Sequence, residues 1–201
     1  MIKAVLFDFG GVLSLSGKAG STRRTFGNVY GLDLDALHID DLSYKMWRGQ
    51  ISDEDFLHEI HKRNPKTRLV TPDEFRRHLD EFERSEPVYA LAEELRTIGV
   101  KTGILSNIFG IGVGPLRVGG FYNGFDPVIL SCEVGLAKPD PAIYRLALNR
   151  LGFEAHEVIF IDDQPGILAP AQAMGMHTVL ARNPEQIITD TRRIIKEQQA
   201  V

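Results

Sequence analysis

Apolar and polar positions along this chain follow two different periods. Short apolar runs at residues 3–7 and 158–161 predict strands buried on both sides, and residues 100–105 predict another strand. Residues 125–131 and 177–180 predict two more strands. Between them the period lengthens to that of helices. Residues 88–98 form an amphipathic stretch ended by Gly99, and residues 140–151 another, with Pro141 in the first turn. Residues 168–174 and 184–198 predict two further helices. Residues 110–120 hold five glycines and predict a loop. Strands that alternate with helices predict an α/β fold, a Rossmann-like three-layer sandwich around a central parallel sheet.

One region breaks the alternation. Residues 14–20 are small and polar, suited to a linker, and residues 21–83 are charge-rich with helical patterning and no convincing strand. Ser52 with Asp55 has the spacing of a helix N-cap, and Phe56, Leu57 and Ile60 share the face that follows. Thr71-Pro72 predicts a second helix start. The pattern therefore divides the chain into an α/β core (1–14 and 86–201) and an all-helical insert after the first strand (15–85).

Composition narrows the setting. The chain has 201 residues, 43% of them hydrophobic, enough for a real core. The net charge is −4 with no basic stretch, which argues against nucleic acid as partner. A single cysteine, Cys132, makes an internal disulfide impossible and suits a reducing compartment. No run approaches the ~20 apolar residues of a membrane span. The expectation is a cytoplasmic protein, monomer or homodimer, with no membrane partner.

The chemistry gathers at strand ends. Asp8 follows the first strand and is followed by Gly10 and Gly11; Ser106-Asn107 end the second; Asp162-Asp163 end the run 158–161; Lys138 opens Lys-Pro-Asp-Pro. In open α/β sheets this edge is where ligands bind. Three converging carboxylates repel one another unless a hard cation such as Mg2+ bridges them. A carboxylate can attack phosphorus, Lys138 can pair with both nucleophile and phosphoryl group, and Ser106 with nearby N–H groups can bind a phosphoryl oxygen.

In order and spacing, these four segments resemble the motifs of the haloacid dehalogenase-like (HAD) hydrolase superfamily, across nearly the whole chain. The helical insert resembles that family's type 1 cap. The nearest resemblance is to small sugar-phosphate phosphatases and to the N-terminal phosphatase domain of soluble epoxide hydrolases. The resemblance implies hydrolysis of a small phosphorylated metabolite through an aspartyl-phosphate on Asp8, with Lys138 as its catalytic partner. It implies phosphate binding by Ser106, Asn107 and Gly11. It also implies a Mg2+ shell drawn from Asp8, the Gly10 carbonyl, Asp162 and Asp163.

Two positions depart from the family pattern. Gly10 stands where the phosphatases carry the aspartate that acts as general acid and base, a role typically worth ~10²–10⁴-fold. Some resembling phosphatases carry glycine there too, and Ser14, Ser16 or an insert residue is a possible substitute. Ile167 stands where asparagine is frequent, and Pro170 falls inside the helix that follows. Two other functions therefore stay open: a weakly catalytic ligand- or protein-binding member of the family, and a 2-haloacid dehalogenase, for which no second aspartate is needed. Elsewhere the expectations are structural. Trp47 belongs to the insert's core and Arg48 to solvent. Cys132 is a small core residue. The histidines (His38, His58, His61, His78, His156, His177) show no zinc-ligand spacing.

Overall fold

The structure, a computed structural model, describes residues 1–15, 27–31, 39–77 and 82–199. Its centre is one five-stranded parallel sheet in the order β3-β2-β1-β4-β5. The strands are β1 (Ala4–Phe7), β2 (Lys101–Ser106), β3 (Val128–Leu130), β4 (Val158–Asp162) and β5 (His177–Leu180). β1 is central and every residue of it is buried, as its unbroken apolar sequence requires. It lies between β2 and β4, with Phe7 opposite Ile104 on one side and Ile161 on the other.

The strand period of two sorts side chains into two cores. Val5, Phe7, Ile104, Ile159 and Ile161 join one buried cluster; Ala4, Leu6, Leu105, Val158 and Phe160 join the other. The first face is covered by α4 (Glu86–Thr97) and α9 (Pro184–Gln199), through Val88, Leu91, Leu95, Ile187 and Ile194. The second is covered by α7 (Pro141–Leu151) and α8 (Pro165–Ala173), through Ile143, Tyr144, Ala147 and Leu168. The result is the three-layer α/β sandwich read from the sequence. A third cluster belongs to the helices α1 (Asp40–Trp47), α2 (Asp53–Arg63) and α3 (Pro72–Arg77), where Leu42, Met46, Phe56, Leu57, Ile60 and Phe75 are buried together. The Ser52 hydroxyl caps α2 by accepting from Asp55 N–H at 3.0 Å. Among the described residues, no helix is long and apolar enough to cross a membrane.

Three expectations need correction. The glycine-rich stretch expected as a loop is helix α5 (Gly110–Val118), with Pro115 inside it. Glycine costs a helix about 1 kcal/mol per residue, but α5 is gripped from two sides. Val113 and Leu116 enter the sheet core while Ile111 enters the cluster of the helical insert. Strand β3 is shorter than expected at both ends: it begins only at Val128, after Pro127, which has no N–H to give a ladder, and Ser131 already opens a one-turn helix, α6 (Ser131–Val134). Helix α8 starts earlier than expected, at Pro165, whose fixed φ suits a first helical position, and it carries Pro170 internally.

Phe160 is fully buried in the second core and meets Tyr144 edge-on at 5.8 Å. Phe160→Ala should cost ~3–5 kcal/mol, lowering the midpoint of thermal unfolding by roughly 10 °C in a chain of this size. Calorimetry that found the midpoint unmoved would contradict this packing.

Candidate active site

The site begins where β1 ends. Asp8 N–H still donates to Ile161 C=O at 2.8 Å, so the backbone stays in register while the side chain emerges at the C-terminal edge. The chain then turns tightly. Ser14 N–H donates to Phe9 C=O at 2.8 Å and Gly11 N–H to Ser14 C=O at 2.9 Å. Gly11 has φ +74°, and a Cβ there would sit 2.6 Å from Asp163 Oδ2. Only glycine lets this loop lie against that carboxylate.

Lys138, in the turn before α7, reaches Asp8. Its ammonium donates to Asp8 Oδ1 at 2.9 Å and to Asp162 Oδ2 at 2.6 Å, and the side chain is 2% exposed. Phe9 N–H gives Asp8 Oδ1 a second donor at 2.7 Å. Gln164 N–H donates to Asp162 Oδ1 at 2.9 Å. Both carboxylates are therefore fixed in orientation. Burial alone would lower the Lys138 pKa; the charges of Asp8 and Asp162 outweigh it and hold the ammonium above its usual value. Burial pushes Asp162 up to about 6, with Lys138 opposing and Asp8 adding to the rise.

Asp163 completes the group. Asp8, Asp162 and Asp163 each offer a carboxylate oxygen, all within 4.8 Å of one another. Among the described residues, three carboxylates gather around the Lys138 ammonium in a largely buried place. An oxygen-rich, negative cluster of this kind fits a hard divalent cation such as Mg2+.

The other sequence-selected residues take varied places. Ser106 is the buried last residue of β2, at the same edge. Asn107 turns toward Lys138 instead of outward: its Nδ2 donates to Lys138 C=O at 2.8 Å, and Lys138 N–H donates to its Oδ1 at 2.9 Å. Gly10 is half-buried and bridges to Ser14, which is fully buried; Ser16 lies outside the described residues. The Ile167 carbonyl accepts from Tyr144 OH at 2.6 Å, tying α7 to the start of α8.

Ser131 is a residue the sequence reading passed over. Its hydroxyl accepts from Ile108 N–H at 2.9 Å and donates to Ile108 C=O at 3.2 Å, joining the loops after β2 and β3. A serine at a strand end is the only signal the sequence offered. Arg48, expected in solvent, is half-buried: its Nε donates to Gly135 C=O at 3.2 Å and its guanidinium lies 5.5 Å over the Tyr44 ring. Trp47 is half-buried at the end of α1. The Cys132 thiol is half-buried too, and burial pushes its pKa up to about 11, so it stays protonated. His58 Nδ1 pairs with Glu54 C=O at 3.0 Å inside its own helix, while His38 and His78 fall outside the described residues.

Comparison with known proteins follows this geometry. A family model described as a haloacid dehalogenase-like hydrolase matches residues 2–175. The chain is 30% identical over 203 residues to mouse acyl-CoA dehydrogenase family member 10, covering 96% of this chain and 19% of that protein. It is 43% identical over 70 residues to pig bifunctional epoxide hydrolase 2, covering 35% of this chain and 13% of that protein. The chain thus spans a fifth or less of the length of these two relatives. A sesquiterpene phosphatase of Aspergillus oryzae is 27% identical, with 87% of each chain covered. Among solved structures, a HAD-like family hydrolase from Porphyromonas gingivalis superposes with a TM-score of 0.81 at 26% identity, covering 97% of this chain and 98% of that one. A HAD family enzyme from Bacteroides thetaiotaomicron, solved with magnesium and inorganic phosphate, gives a TM-score of 0.73 at 22% identity, covering 89% and 93%. With its four motif segments gathered at one sheet edge and the family model spanning most of its length, the chain belongs to the haloacid dehalogenase-like hydrolases.

Proposed function

We propose that this hydrolase is a Mg2+-dependent phosphatase of small phosphorylated metabolites and that Asp8 is its nucleophile. The observation that carries the reading is the buried Lys138 ammonium bound to both Asp8 and Asp162, with Asp163 beside them. A phosphate monoester brings a dianion to a site that already holds three acids. Only a site with concentrated positive charge tolerates that, and one lysine falls short. Asp8, Asp162, Asp163 and the Gly10 carbonyl are the groups that would hold Mg2+. The ion would supply the charge that lets the dianion approach Asp8 and would neutralise the phosphoryl oxygens as the bond to the leaving group breaks. The phosphatase among the relatives and the magnesium- and phosphate-bound fold neighbour support the same choice.

The chain's own residues divide the work as follows. Asp8, locked by Lys138 and Phe9 N–H, attacks phosphorus; the P–O bond to the leaving group breaks, its oxygen takes a proton from solvent, and water then cleaves the aspartyl-phosphate to inorganic phosphate and free Asp8. Lys138 balances charge on the nucleophile first and on the transferred group afterwards. Asn107 is a positioning residue, because its amide grips the Lys138 backbone. Ser106, at the end of β2, and backbone N–H groups of the Asp8 loop bind phosphoryl oxygens. The helical insert over residues 15–85 is the cap that covers the reaction. A 2-haloacid dehalogenase is the weaker reading, since displacement of halide from carbon has no use for three clustered carboxylates.

Asp8→Asn should leave the fold intact and abolish phosphate release from phenyl phosphate, and chelation of Mg2+ should do the same to the wild type. Release that survived either treatment would contradict the assignment. Gly10 leaves the departing oxygen without a proton donor from that position, so turnover should depend steeply on leaving-group acidity. Gly10→Asp should raise kcat for alkyl phosphates, toward the ~10²–10⁴-fold that an acid–base group supplies, and change aryl phosphates far less. An equal effect on both ester classes would show that proton transfer is not what Gly10 withholds.

A further inference from the structure

Two stretches of chain, far apart in sequence, close on each other beside the reacting groups. One is the turn after β2, which begins at Asn107. The other starts at Ser131, where α6 opens at the end of β3, and runs to Lys138. They are joined at two points, and each joint is double. At the first, Asn107 Nδ2 donates to Lys138 C=O at 2.8 Å and its Oδ1 accepts from Lys138 N–H at 2.9 Å. At the second, the Ser131 hydroxyl accepts from Ile108 N–H at 2.9 Å and donates to Ile108 C=O at 3.2 Å. Asn107 and Ile108 are consecutive, so both joints bear on one short piece of backbone. The first joint alone would leave that piece free to pivot about Lys138; the second fixes its orientation.

Burial makes the second joint costly to lose. Ser131 is fully buried, and Ile108 is buried beside it. Without the hydroxyl, Ile108 N–H and C=O both lose their partner where little water reaches, and an unsatisfied buried group costs more than the bond it made. The turn relieves that cost by shifting toward solvent, and Asn107, the next residue, shifts with it. The Lys138 backbone then loses its grip. Its ammonium has little slack: it lies 2.9 Å from Asp8 Oδ1, 2.6 Å from Asp162 Oδ2 and 5.3 Å over the Phe160 ring. A misplacement of about 1 Å at reacting groups is enough to slow catalysis severely.

We infer that Ser131 is a positioning residue of this site: acting through Ile108 and Asn107, it holds the backbone that aims Lys138 at Asp8. The catalytic consequence rests on the phosphatase reading, and the test separates the two. Amide hydrogen exchange, followed by NMR on the folded protein without substrate, reads the relay directly. Ser131→Ala should speed exchange at Lys138 N–H, to which Ser131 is not bonded, by about tenfold, the scale of one hydrogen bond. Ala142 N–H, held in the same way by Asp140 Oδ1 at 2.8 Å, should keep its rate. The same substitution should lower kcat for phenyl phosphate by about tenfold, yet cost less than about twofold more in an Asn107→Ala background, where the joint it serves is already gone. Ser131→Cys, close to serine in size but weaker as donor and acceptor, should move both readouts the same way and keeps the test standing if the alanine variant misfolds. Unchanged exchange at Lys138, equal acceleration at Lys138 and Ala142, or an undiminished loss of kcat in the Asn107→Ala background overturns the inference. Absence of phosphate release from the wild type overturns the phosphatase reading instead, while the exchange rates still decide whether Ser131 sets Lys138.

Discussion

Everything at this sheet edge depends on one buried ion triad, the Lys138 ammonium between Asp8 and Asp162. Taking three charges out of water costs several kcal/mol per ion, and the mutual attraction recovers this only where every partner is well placed. The fold supplies that placement from three directions. The register of β1 with β4 sets Asp8 beside Asp162, and the Asn107 amide fixes the backbone of Lys138. The second oxygen of Asp162 is held by Gln164 N–H. The triad also carries the chemistry, because it holds Asp8 aimed within a cluster of carboxylate oxygens that suits a hard cation.

The same logic separates the roles of rigid and adaptable parts. The α/β core holds the charged groups on strand ends braced by two hydrophobic clusters, so their geometry does not rely on loops alone. The helical insert has its own buried cluster and touches the edge through discrete contacts: Arg48 on Gly135, Asp53 on the start of α5, and Ile111 reaching back into the insert.

Much of this was legible in the sequence because strand ends in a parallel sheet must share one edge. Asp8, Asp162 and Asp163 were identifiable from the apolar runs they follow, and Lys138 from its Lys-Pro-Asp-Pro context together with the family resemblance. Asn107 was identifiable as a site residue, but its grip on the Lys138 backbone was not, since that bond joins positions 31 residues apart. The helix Gly110–Val118 was hidden for a different reason. Local propensity argues against it, and it forms because Ile111, Val113 and Leu116 find burial on two sides that no local pattern announces. Arg48 was misread for the same reason, its partner Gly135 lying in a distant loop.

The central claim, that the acid cluster around Lys138 is built to take a divalent cation, is tested most directly without any substrate. Thermal unfolding is followed as Mg2+ is titrated into the wild type and into Asp163→Asn. A ligand that binds only the folded state raises stability by RT ln(1 + [L]/Kd), so the account predicts a saturable rise in the unfolding midpoint for the wild type, weakened at least severalfold in apparent affinity by the substitution. A midpoint indifferent to Mg2+, or one that rises identically in both proteins, would contradict it.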